Sequence, residues 1–268
     1  MSLPGSAFRR LCCLIGALMG PGWALPIQAQ GAAGLLGHGV PSVEALDPWG
    51  ALRRLDPILA ADSTDVEANW RASLALVDIG KQTPENVKSP TRDSLYLLAE
   101  RYARRAVALA PEDANAHFSL AMAVGMVALT KSKREQVRYA VEVWTEAVRT
   151  LELAPQHDGA LHILGRWHAE IKRLSNIEEF FAKRFLGARV FNEASWAEAV
   201  RNLEMAVAIR PDYIYHRLDL GEIYVDVKRY ADARAQFEAI PGLPTLDLLD
   251  PEYRRQAARS LARIANKH

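Results

Sequence analysis

Between residues 214 and 240, Leu220, Gly221, Tyr224, Ala233 and Phe237 place large, small, aromatic, small and aromatic side chains in a fixed order. Small residues let two helix axes approach closely, and larger ones fill the flanks. The order predicts a tight antiparallel helix pair, preceded by Pro211 and ended by Pro241-Gly242-Leu243-Pro244. The pattern recurs upstream at wider spacing. Leu164-Gly165 is followed by Ala199, Leu203 and Ala206, with Pro211 after them. Leu120-Ala121 is followed by Tyr139, Val143, Trp144 and Ala147, with Pro155 after them. A helix through Trp70, Leu74 and Ile79 precedes one over about residues 92–110, where Ala99, Ala103 and Ala106 share a face before Pro111. Thr64 with Glu67, Ser132 with Glu135 and Ser195 with Glu198 have capping-box spacing. Asp47-Pro48 opens a short helix through Leu52, Leu55 and Leu59, and Asp250-Pro251-Glu252 caps a last one through Tyr253, Ala257, Leu261 and Ile264. Strand alternation is absent, so the expected class is all-α.

This order, with a proline closing each unit, is similar to the tetratricopeptide repeat, whose unit is about 34 residues. The expected architecture is a helical-hairpin solenoid of about four repeats with a C-terminal capping helix, which covers the apolar end of the last repeat. Three repeats are lengthened, the third by about 22 residues relative to the standard unit. That insertion, 174–195, carries the capping-box spacing Ser175 to Glu178 and the aromatics Phe180, Phe181, Phe185 and Phe191. It is expected to form a short amphipathic helix packed on the stack, since four exposed aromatics would make a large apolar patch.

Composition changes the picture mainly at the N-terminus. Arg9-Arg10, an apolar run over residues 11–19 and Ala29 before Gln30 have the order of a secretory signal peptide. The run is shorter than the about 20 residues needed to span a bilayer. The expected division is a signal peptide over 1–29, a flexible lead-in over 30–47 and the repeat domain over 48–268. An uncleaved anchor or a buried helix is the alternative, and the cytoplasm is the alternative location. Cleavage removes both cysteines, Cys12 and Cys13, and with Arg9 and Arg10 turns the net charge from +1 to −1. A near-neutral mature chain argues against nucleic acid and anionic membrane surfaces as partners, and no membrane insertion is expected after cleavage.

Leu164-Gly165-Arg166-Trp167, Leu174-Ser175, Phe185-Leu186-Gly187, Trp196-Ala197-Glu198-Ala199, Pro211-Asp212, Leu220-Gly221 and Tyr224 form a more specific series. On these residues, and on the insertion in the third repeat, the chain resembles the regulator of microtubule dynamics family of tetratricopeptide-like proteins from about residue 65 onward. It departs at Arg189-Val190-Phe191-Asn192, where the family has Pro-Pro, and at the export-type N-terminus. The resemblance implies a helical interaction module, with microtubule association in the animal members. An exported chain would not meet tubulin, which becomes a partner only if the export reading is wrong.

The residues point to no catalytic set, no cofactor and no metal site. His157, His162 and His168, near Glu170, are separated by five and six residues, whereas a zinc-protease helix needs i and i+4. They read as surface or groove histidines. Asp250 reads as a helix cap in preference to a catalytic partner of Asp247 or Glu252. The first function reading is therefore a non-catalytic scaffold, exported to the periplasm or outside, that binds a protein or peptide in its concave groove. A microtubule- or organelle-associated regulator is the runner-up, and an enzyme or small-ligand receptor using the histidines is third. By the resemblance, the first helix of each repeat lines the groove, which makes Phe118, Met122, His162, Arg166, Tyr215, Leu218 and Glu222 the candidate partner contacts. A Lys–Asn clamp for a carboxylate tail is not expected, because His162 with Arg166, Phe118 with Met122 and Leu218 with Glu222 occupy its places.

Overall fold

Capping chemistry sets most of the boundaries. Asp47 accepts a hydrogen bond from Gly50 N at 2.8 Å, and Ser132 with Glu135 makes a reciprocal box. Ser195 accepts from Glu198 N at 3.1 Å, while the Glu198 carboxylate turns outward to Arg201. Two expected caps differ. Asp65, not Thr64, caps its helix, because Asp62 captures the Thr64 hydroxyl and amide. Asp250 lies inside the last helix and accepts from Leu246 N and Asp247 N, so it fastens the preceding loop instead.

The computed structural model describes residues 42–84, 87–174 and 189–267. Among these residues all regular structure is helical and no strand forms. In chain order the helices are α1 (Ser42–Leu46), α2 (Pro48–Ala61), α3 (Val66–Lys81), α4 (Pro90–Leu109), α5 (Ala114–Ala128) and α6 (Lys133–Leu153). They continue as α7 (Asp158–Arg173), α8 (Trp196–Ile209), α9 (Ile214–Asp226), α10 (Tyr230–Ala239) and α11 (Asp250–Arg263). Helix α1 lies in the segment expected as a flexible lead-in; buried Glu44 ties it to Arg71 of α3. Ser175 to Glu178, Phe180, Phe181 and Phe185 of the insertion lie outside the described residues. Phe191 is buried on a 3-10 turn (Arg189–Glu193), edge-on to Trp167.

The pairs α3–α4, α5–α6, α7–α8 and α9–α10 are four antiparallel hairpins. Each second helix also packs on the first helix of the next pair, and successive first helices touch. The first helices thus form one layer and α11 covers its end, as a capped solenoid requires. Helix α5 is apolar on nearly all sides and accordingly buried on nearly all sides. No described helix is long and apolar enough to cross a membrane.

Close approach within the hairpins depends on glycine at three points, the first being Gly80 of α3, where a Cβ would lie 2.3 Å from the Tyr96 ring of α4. A Cβ on Gly165 would lie 2.7 Å from Leu203 Cγ and 3.1 Å from the Ala199 carbonyl oxygen. One on Gly221 would lie 2.4 Å from the Phe237 ring. Gly221→Leu should therefore push α9 from α10 and cost about 1–3 kcal/mol, read as a lower urea midpoint. An unchanged midpoint would mean that these helices do not meet at Gly221.

A buried charged row between the third and fourth repeats

Helix α7 carries a polar residue at every fourth position along one face: Asp158, His162, Arg166 and Glu170. All four are buried, each no more than 2% exposed. Helix α9 answers with His216 and Asp219, and Arg210 reaches in from the turn before it. Charges removed from water need partners, and here the partners sit on the neighbouring helix.

The contacts form a continuous row. Arg210 Nη1 donates to Asp158 Oδ2 at 2.8 Å, and His216 Nε2 lies 3.1 Å from the same oxygen. The Nδ1 atoms of His216 and His162 are 2.7 Å apart. Asp219 Oδ2 lies 2.8 Å from His162 Nε2, off the line of the ring N–H. Arg166 spans two carboxylates, donating to Asp219 Oδ1 and Glu170 Oε1 at 2.8 Å each. Arg173 continues the row, contacting Glu170 and donating through Nε to Asp226 Oδ2 at 2.9 Å. Aromatic rings flank it: Tyr215 stacks on His162, Tyr253 of α11 stacks on Tyr215, and Tyr213 stands edge-on to His216.

Burial and pairing oppose each other along the row. Burial works against charge on Asp158, but Arg210 and His216 hold its carboxyl down at about 2. Asp219 is likewise held below its usual value despite burial, chiefly by Arg166. Burial lowers both imidazoles, His216 to about 3, against the pull of Asp219 on His162 and of Asp158 on His216.

A second polar cluster lies where α1 and α3 meet the loop before α11. Tyr213 OH donates to Asp247 Oδ2 at 3.2 Å, and Leu248 N donates to Ala45 O of α1 at 3.3 Å. Burial, with Asp78 adding to it and Lys81 of α3 opposing it, pushes Asp247 up to about 7. Asp78 forms an ion pair with Lys81 and is itself raised by burial.

The fold has counterparts among known proteins. Residues 44–265 match the family model described as Regulator of microtubule dynamics protein 1-3. The chain belongs to this family. Comparison with curated proteins gives no match. Among solved structures, the chain is similar to TTC0263, a thermophilic tetratricopeptide protein of Thermus thermophilus, at 17% identity and a TM-score of 0.58. The match covers 80% of this chain and 91% of that one. It is also similar to MamA at 17% identity and a TM-score of 0.42, covering 82% and 91%. The first likeness supports the tetratricopeptide fold; at this identity it says nothing of partners.

The family member's first-helix layer is closed where an open groove was expected. Of the seven candidate contacts, Phe118, Met122, His162, Arg166, Tyr215 and Leu218 are buried, and Glu222 keeps partial exposure. Phe118 packs on His157 and beside Gly159, whose missing Cβ leaves room for its ring. His162 and Arg166 join the row. Glu222 contacts Ser260 and accepts from Arg263 Nη2 of α11 at 2.7 Å. The histidines are not at the surface either. His157 caps α7 by accepting from Ala160 N at 3.2 Å, and His168 packs edge-on to Trp167. No metal-binding group of three His, Cys, Asp or Glu side chains occurs among the described residues.

Asp158, Glu170, Arg210, His216 and Asp219 were absent from the sequence-derived set. A mixed-charge stripe at every fourth position of α7, a helix otherwise rich in core residues, is the signal for Asp158 and Glu170; Arg210, His216 and Asp219 lie outside that stripe. Arg166→Met should leave Asp219 and Glu170 buried without their shared guanidinium, costing about 3–5 kcal/mol. Arg173→Met, at the exposed end, should cost about 1 kcal/mol or less. Equal urea midpoints for the two variants would remove the row from the account of stability.

Proposed function

We propose that the protein is an exported, non-catalytic scaffold that presents a helical-repeat surface to a protein or peptide partner. Membership of a tetratricopeptide-like family supports the scaffold reading. The signal-like order of Arg9-Arg10, the apolar run over 11–19 and Ala29 supports export to the periplasm or beyond. The regulation of microtubule dynamics named in the family's description is not carried over, because an exported chain would not encounter tubulin.

The observation that carries the choice of surface is the burial of the first-helix layer. With six of seven groove positions covered, a partner is gripped outside that layer. A surface cavity of about 300 Å³ lies between α8 and the α9–α10 turn, lined by Trp196, Ala197, Val200, Arg201, Glu204, Val227 and Arg229. Its lining combines the apolar Trp196, Ala197, Val200 and Val227 with the charged Arg201, Glu204 and Arg229. Met205, on the same helix α8, is an exposed large apolar residue.

Photo-crosslinking tests this reading. A photoreactive residue placed at Val200 should trap a partner in the native compartment, and one at Glu222 should not. Trapping at Glu222 alone would return the partner to the first-helix layer. An unprocessed Met1 on the purified native protein would remove the export component.

A further inference from the structure

The two histidines of the row face a shortage of protons. His216 Nε2 lies 3.1 Å from Asp158 Oδ2, His162 Nε2 lies 2.8 Å from Asp219 Oδ2, and the two Nδ1 atoms are 2.7 Å apart. A carboxylate oxygen at such distances attracts a ring N–H and repels a ring lone pair, so each Nε2 calls for a proton. The Nδ1–Nδ1 contact needs one as well, since two lone pairs cannot meet at that distance. Two neutral imidazoles hold two protons, which serve His216 Nε2 and the Nδ1–Nδ1 contact; the charge of Asp219 beside His162 Nε2, off the ring N–H line, calls for a third.

The charge of the row points the same way. Four carboxylates, Asp158, Glu170, Asp219 and Asp226, are joined by three guanidiniums, Arg166, Arg173 and Arg210. Among the described residues one negative charge is left without a guanidinium, and the buried portion, where unpaired charge is most costly, sets Asp158, Glu170 and Asp219 against Arg166 and Arg210. One extra proton on the imidazole pair cancels it.

We propose that His162 and His216 form a proton-binding site that holds one proton more than two neutral rings, shared across the Nδ1–Nδ1 bond. The site is the junction between the third and fourth repeats. The groups facing it are Asp158, Arg166 and Glu170 from α7, Arg210 and Tyr213 from the turn before α9, Tyr215 and Asp219 from α9, and Tyr253 of α11 behind Tyr215. Burial resists the charged ring, while Asp158 and Asp219, one at each outer nitrogen, favour it. Each ring alone would stay neutral; the pair titrates as one unit. Loss of the proton leaves a ring lone pair against a carboxylate or another lone pair, and loosens α7 from α9.

Nitrogen NMR on the full chain labelled with 15N-histidine tests the proposal. A scalar coupling between the two Nδ1 nuclei identifies the pair in the wild-type protein. At about pH 6, within the range where an ordinary histidine titrates, three of the four ring nitrogens should carry protons. Two protonated nitrogens, one on each ring, would overturn the proposal, as would absence of the Nδ1–Nδ1 coupling. His216→Gln, if it folds, should bind one proton fewer than wild type by potentiometric titration at the same pH. An equal proton count would also overturn it, and the wild-type spectrum decides the question if the variant does not fold.

Discussion

The rest of the structure depends on how buried charge is paired between α7 and α9. Ionised groups brought out of water are tolerated only when their partners are in place. Arg166 has one partner on its own helix, Glu170, and one on the next repeat, Asp219. His216 and Asp158 tie the same two repeats at the other end of the row, with Arg210 bracing Asp158 from the turn between α8 and α9. A repeat array held only by apolar contact can slide or open at any junction. A charged row cannot slide by a residue without leaving charges unpaired, so it fixes register as well as proximity.

This constraint explains the closed first-helix layer. The row draws α7 to α9, and the stack His162–Tyr215–Tyr253 carries the contact on to α11. The loop before α11 then reaches back to the N-terminal helices, where Leu248 bonds Ala45 and Asp247 sits near Asp78 and Lys81. Side chains that would line a groove in an open solenoid become interior here. The polar groups facing the outside are mostly those of the second helices and the turns, which is where a partner surface is sought.

The fold was legible because close helix packing demands particular residue sizes at particular places. Gly165 and Gly221 meet Leu203 and Phe237, and the alanines of α4 and α8 lie buried at helical spacing. The repeat frame and most helix boundaries follow from such pairs and from local caps. The site was less legible because burial of a polar side chain is a tertiary fact. His162 and Arg166 sit where an open repeat exposes them, and no local pattern says that Asp219, 53 residues away, covers Arg166. The same holds for Asp250, whose sequence context suits a helix cap while its carboxylate holds the loop before it.

Hydrogen exchange, read helix by helix in the native protein, tests the central claim most directly. Protection reports the free energy of opening each segment. If the first helices form a sealed interior tied by the charged row, the amides of α5, α7 and α9 should exchange slowest and as one group, well behind α8 and α10. Exchange of α7 and α9 as fast as α8 and α10 would contradict it and restore an open groove.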